Sequence, residues 1–178
     1  KDAINTANVL ANMSPNASIT NQGATMMFLY EGMILPALVN IRFRQWQKAI
    51  DYLTVLLNKP QGNNLATTYF MVMKLYCEGM KSINDKDVNT ATLAGTQLSQ
   101  QGAVYQNTPE FKSINETFDI MSMARYELAG WIDNIDTQKP FNRAAWDEAI
   151  NLEKLIHYDE PPRLMYPIEE SLARLHKL

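Results

Sequence analysis

The chain has 178 residues, 46% of them hydrophobic, enough for one well-buried domain, since a chain of this size hides roughly 70% of its unfolded surface. Its net charge is −3, from 16 basic and 19 acidic residues, and no stretch carries the clustered Lys and Arg that phosphate neutralisation requires, which argues against a nucleic-acid partner. The longest apolar run, Met26 to Ile41, is broken by Glu31, Gly32 and Pro36 and falls short of the ~20 residues that span a bilayer, so no membrane span is expected.

Apolar residues keep a helical period nearly throughout and strict alternation is sustained nowhere, so the expected fold is all-α. The period predicts helices over about 2–13, 22–34, 36–43, 45–57, 64–83, 86–104, 109–132 and 142–156, with a ninth from Pro162. Lys1 is not preceded by an initiator Met, yet Ile4, Ala7, Val9, Leu10 and Ala11 already read as helix. Ser14-Pro15-Asn16 ends that helix, and Pro36 suits the first turn of a new one, where its missing N–H does no harm. Lys59 to Asn64 is a loop rich in Pro, Gly and Asn. Asp85-x-Asp87-x-Asn89 opens like a calcium loop, but Thr90 and Thr96 stand where the turn Gly and the bidentate Glu belong, leaving a polar turn with an N-cap. Thr108, Pro109 and Glu110 form the strongest helix start in the chain. Asp133 to Pro140 is a second loop. The last helix carries Leu164, Ile168, Leu172 and Leu175 at helical spacing and reaches the terminus without Gly, Asn or Pro to stop it. Both ends together point to a piece of a longer parent.

Close packing of paired helices needs a small side chain at the crossing, and such residues recur in pairs. Ala37 and Ala49 are twelve apart, as are Gly79 and Ala91; Ala129 and Ala145 form a third pair stretched to sixteen by the Asp136 to Pro140 insertion, and Ala173 begins a fourth. The spacings between pairs, 42, 50 and 44 residues, exceed the 34 of a standard tetratricopeptide unit and leave HEAT-like or divergent tetratricopeptide pairs open.

Arg42-Phe43-Arg44-Gln45-Trp46-Gln47-Lys48-Ala49-Ile50 resembles the centre of a tetratricopeptide repeat, in which an aromatic precedes a small residue by three. Tyr158-Asp159-Glu160-Pro161-Pro162, followed by Tyr166-Pro167-Ile168 and Ser171-Leu172-Ala173, resembles the C-terminal part of a family of bacterial tetratricopeptide-repeat proteins, and Val39 to Trp46 matches a segment found upstream in that family. Leu164 and Met165 replace aromatics of the pattern, Glu169 replaces an Arg, and the usual small residue in the Arg44 turn is missing. The resemblance implies antiparallel helical hairpins in a right-handed solenoid, a bacterial setting in either cytoplasm or periplasm, and further histidine-bearing repeats upstream; it implies little about activity.

The chemistry-bearing residues are sparse. Cys77 is the only cysteine and reads as a small core residue. His157 and His176 lack ligand-spaced companions, so no metal or other cofactor is expected. Glu31, Glu78 and Glu127 are acid–base candidates only if helices pair them. What remains is a peptide-binding groove. The resemblance puts the first helix of each hairpin on a concave face, lined by Met73, Tyr76, Met80 and Asn84 in one register, Met123, Tyr126 and Asn134 in the next, and Glu31, Leu38 and Arg42 in the first. Met and Tyr suit a partly apolar peptide, and are equally at home in a core. The expected function is a non-enzymatic protein-interaction scaffold with a protein or peptide partner; the alternative is the C-terminal structural part of a larger bacterial enzyme or metal-binding protein. Uncapped end helices also predict a homodimer.

Overall fold

The computed structural model describes residues 2–12, 22–59, 64–106, 115–135, 140–156 and 166–175. All regular structure among them is helical: α1 Asp2–Ala11, α2 Gln22–Arg42, α3 Trp46–Leu57, α4 Asn64–Asn84, α5 Val88–Gln106, α6 Asn115–Asn134, α7 Ala144–Leu155 and α8 Ile168–Leu175. Each helix packs on the next in the chain from α1 to α5; α6 then packs on both α4 and α5, and α7 and α8 close over α6. One continuous apolar core runs from Ile34 of α2 to Leu175 of α8 through Leu53, Phe70, Met73 and Trp146. The start signal at Thr108 to Glu110 and residues 162–165 of the ninth expected helix lie outside the described residues, as do His157 and His176, while Tyr166 and Pro167 precede the helix, which begins at Ile168.

The two helices expected over 22–34 and 36–43 are a single helix, α2, with Pro36 inside it. Proline there removes one backbone bond and crowds the carbonyl of residue 32. Ile34, Ala37, Leu38 and Ile41 are all buried on either side of it, and burying these side chains, at about 1.5–3 kcal/mol for each large one, is enough to hold the helix continuous. Asn40 returns a donor to this stretch, its Nδ2 giving a 2.8 Å bond to the Pro36 carbonyl.

Two turns share one geometry. After α2, the Arg44 N–H donates to the Ile41 carbonyl and the Gln45 N–H to Asn40; after α4, Lys86 donates to Ile83 and Asp87 to Ser82. These are paired 5→2 and 6→1 bonds, the Schellman ending of a helix, whose pivotal residue is left-handed and usually Gly. Here it is Arg44 with φ 54° and Lys86 with φ 60°. The two lie 42 residues apart, the same offset that relates Ala37 to Gly79 and Ala49 to Ala91. Asp87 then caps α5, accepting from the Thr90 N–H at 3.1 Å and the Thr90 hydroxyl at 2.6 Å. The Asp85-x-Asp87 pattern is thus a turn and a cap.

The small residues act differently from their expected pairing. A Cβ on Gly79 would run into the Leu128 side chain of α6, so the closest approach it permits is to the following helix pair. The third crossing sits one residue later than Ala129. Ala129 is only half-buried, whereas a Cβ on Gly130 would stand 2.6 Å from Cε2 of Trp146. Trp146, Ala149 and Ile150 are buried on α7 as Trp46, Ala49 and Ile50 are on α3, and the shared Trp-x-x-Ala-Ile string sets the register that Ala145 does not.

Candidate functional site

The centre of the molecule contains a carboxylate with no solvent exposure. Glu127 of α6 accepts from the Tyr76 hydroxyl of α4 at 2.7 Å on Oε2. Its Oε1 accepts from the Tyr166 hydroxyl at 3.1 Å and from Ser171 Oγ of α8 at 2.5 Å. The Ser171 oxygen in turn accepts from Trp131 Nε1 at 3.0 Å, and the two tyrosine hydroxyls touch each other. A buried charge survives only when its oxygens are satisfied, and this one ties α4, α6 and α8 together through hydroxyls. Burial pushes the Glu127 carboxyl above its usual range, and the three hydroxyl donors oppose that rise. Burial, then the neighbouring Glu127 charge, holds both tyrosines well above theirs. The α8 start is fixed separately: the Glu153 carboxylate of α7 accepts the Ile168 N–H at 3.2 Å, a cap supplied from another helix.

Above this network lies a pocket of about 540 Å³, within the range of about 300–1,000 Å³ typical of ligand sites. Trp46, Met80, Ile83, Trp131, Ile135 and Tyr166 give it apolar walls, and Asn84 and Ser171 add polar atoms. Arg44, Lys86 and Arg174 line it as well, so both left-handed turn residues reach the same cavity. Helix-terminal geometry would favour Gly at both positions; instead each carries a cation and the strain of a side chain at positive φ, an arrangement that clusters at functional sites. Glu170 of α8 is the anion these cations already meet. Its Oε2 lies 3.3 Å from Arg42 NH1 and its Oε1 3.9 Å from Arg44 NH2, and it pairs with Arg174, one turn on. The Arg174 guanidinium also sits over the Tyr166 ring at 5.8 Å. Lys86 has no ion-pair partner among the described residues.

The residues expected to line the groove are dispersed. Met73, Tyr76 and Met123 are enclosed in the core, Tyr76 edge-on to Trp46 with ring centroids 6.1 Å apart. Tyr126 is half-buried under the Arg125 guanidinium at 4.4 Å, away from the pocket lining. Arg42 is exposed and bonded to Glu170. Met80 and Asn84 do line the pocket. Leu38 is buried, and Asn134 bonds the Asn142 backbone in both directions at 2.6 Å, which pins the start of the α7 segment. The Glu31 side chain lies outside the described residues. Sequence reasoning did not single out Trp131, Tyr166, Arg44, Lys86 or Arg174 as pocket residues; the missing small residue in the Arg44 turn was the available signal, and the same geometry at Lys86 was its confirmation.

Cys77 is buried, and burial raises its thiol far above the usual range, so it is an inert core residue. Among the described residues no group of three or more His, Cys, Asp or Glu side chains is placed to hold a metal ion, and no helix is long and apolar enough to cross a membrane. No protein-family model, curated protein or solved structure matches the chain.

Proposed function

We propose that the chain is a non-catalytic protein-interaction module built from divergent tetratricopeptide-like helix pairs, and that its partner places an apolar anchor in the pocket bounded by Trp46, Met80, Trp131 and Tyr166. The observation that carries this reading is the recurrence of one turn geometry at Arg44 and Lys86, 42 residues apart, with both turns opening on one cavity. Repeated helix pairs present their turns and inner faces as extended binding surfaces. Against a catalytic reading stands Glu127, the one buried carboxylate among the described residues. Both its oxygens are taken up by hydroxyl donors inside the core, so it offers no atom to a substrate.

The test is selection of random peptides displayed on phage against the immobilised chain, with the Trp131→Ala variant as counter-selection. The reading predicts a recurring apolar-anchored consensus that binds the chain at micromolar to submillimolar Kd and loses binding to the variant. No enrichment, or enrichment indifferent to Trp131, contradicts it.

A further inference from the structure

We infer that this pocket is an oxyanion site: it takes an aromatic or other flat apolar group that carries a carboxylate, with Glu170 acting as the internal competitor for the same cations. The inference deepens the proposed function and rests on the pocket being a binding site.

The charge distribution is the first ground. The chain as a whole is acidic, at −3, yet Arg44, Lys86 and Arg174 converge on one cavity with Arg42 beside it. The acids nearby are committed elsewhere. Asp85 pairs with Lys81 at 2.6 Å, Asp87 caps α5 through Thr90, and Glu127 is sealed beneath Tyr166 and Ser171. Among the described residues Glu170 pairs with three of these four cations, and Lys86 pairs with none. The second ground is that Glu170 shows what these cations accept. Three guanidinium groups approach one carboxylate from α2, the α2–α3 turn and α8, and arginine suits planar two-oxygen heads. An incoming carboxylate that took over Arg44 and Arg174 would leave Glu170 its Arg42 bond, and Lys86 would supply a further positive charge in the same cavity. The third ground is the walls. Two indole rings line the cavity beside the cations, so a ligand gains both contacts only if its charge and its apolar body are adjacent.

Two sources present this chemistry: a free organic acid, or an acidic residue beside an aromatic one within a partner protein. Calorimetric titration of the chain separates them. One arm uses 2-naphthoate against 2-naphthamide; the other uses an end-blocked peptide with an internal Phe-Asp against its Phe-Asn counterpart. The expected result is that at least one acid binds about tenfold or more tightly than its neutral analogue, as one charge-assisted bond supplies. The arm that shows the difference names the source. Lys86→Gln is expected to weaken the acid several-fold and Glu170→Gln to tighten it, the latter because it removes the competitor; both side chains are partly exposed, and urea midpoints confirm that the variants fold. Equal binding of acid and neutral analogue overturns the inference while leaving the module reading intact, provided the binding is lost on Trp131→Ala. An acid that weakens on Glu170→Gln overturns the competitor role. No binding in either arm overturns the inference outright, and the phage selection then decides the module reading on its own.

Discussion

Replacing Lys86 by Gly and by Ala reverses the order of stability that these residues show elsewhere in helices. Lys86 holds φ 60°, where a residue with a Cβ bears about 1–2 kcal/mol that Gly does not. Gly has extra freedom in the unfolded chain, which returns about 0.4–1 kcal/mol of that advantage. Both substitutions remove the same charge from the end of α4, so its effect of about 0.3–1 kcal/mol cancels in the comparison. Both also keep the backbone bonds from residue 86 to Ile83 and from Asp87 to Ser82. The Gly variant should therefore be more stable than the Ala variant by about 0.5–1 kcal/mol. At Thr92, an exposed position inside α5, the order is the ordinary one, with Ala ahead of Gly by about 1 kcal/mol. Urea unfolding of the four variants followed by circular dichroism measures both differences. Thermal midpoints should separate by about 1–4 °C at each site, given about 2–4 °C per kcal/mol for a chain of this size. If Ala equals or exceeds Gly at position 86, the left-handed turn is wrong, and with it the equivalence of the Arg44 and Lys86 turns.

Other predictions follow from the packing. Gly130→Ala puts a methyl group 2.6 Å from the buried Trp146 ring and should cost about 1–3 kcal/mol of overpacking, more than the ~1 kcal/mol of helix propensity it gains. Gly32→Ala meets, among the described residues, the Leu10 carbonyl at an ordinary 3.5 Å and should stabilise by up to about 1 kcal/mol; urea midpoints of the pair check both signs. Glu127→Ala strips the acceptor from three buried hydroxyls and should cost about 3–5 kcal/mol. Glu127→Gln tests the titration. The folded carboxyl lies above its usual value, so the folded state binds its proton more tightly than the unfolded chain does. Its contribution is then fully present below the unfolded value and declines as pH rises through the folded one. Stability of the natural chain relative to Glu127→Gln should fall as pH rises above the ordinary Glu value of about 4.3; a flat or rising difference contradicts the assignment.

The helical content was legible because burial follows a 3.6-residue period that no local signal overrides. The expected boundaries fail at Pro36, where the apolar stripe from Ile34 to Ile41 continues on both sides of the proline. A local rule read from one residue lost there to tertiary burial. The small-residue pairs share their 42-residue offset with the Arg44 and Lys86 turns. They missed the third crossing, because Ala129 and Ala145 are small without being at the contact, while the Trp146, Ala149 and Ile150 string repeats that of α3. Met and Tyr at helical spacing could not be divided between groove and core from composition. Tyr76 and Met123 went inward because Glu127 and the α4–α6 contact lie on that side. The Glu127 network itself joins residues 51, 39 and 44 positions apart, and nothing short of the fold places them together. Tyr166 and Ser171, five residues apart near the C-terminal end of the described chain, both donate to that carboxylate.

Ligand binding in the cavity that Arg44 and Lys86 both line has a direct spectroscopic readout. The chain has three tryptophans; Trp46 and Trp131 line the cavity and Trp146 does not. A nitrogen–proton correlation spectrum therefore reports the pocket through two indole signals, with Trp146 one ring further away, edge-on to Trp131 at 5.9 Å between centroids. Titrated with 2-naphthoate and with the Phe-Asp peptide, the Trp46 and Trp131 signals should move saturably for at least one of them and Trp146 should move less, and Glu170→Gln should bring saturation at lower concentration. Shifts at all three indoles alike, or at none for either probe, would contradict the account.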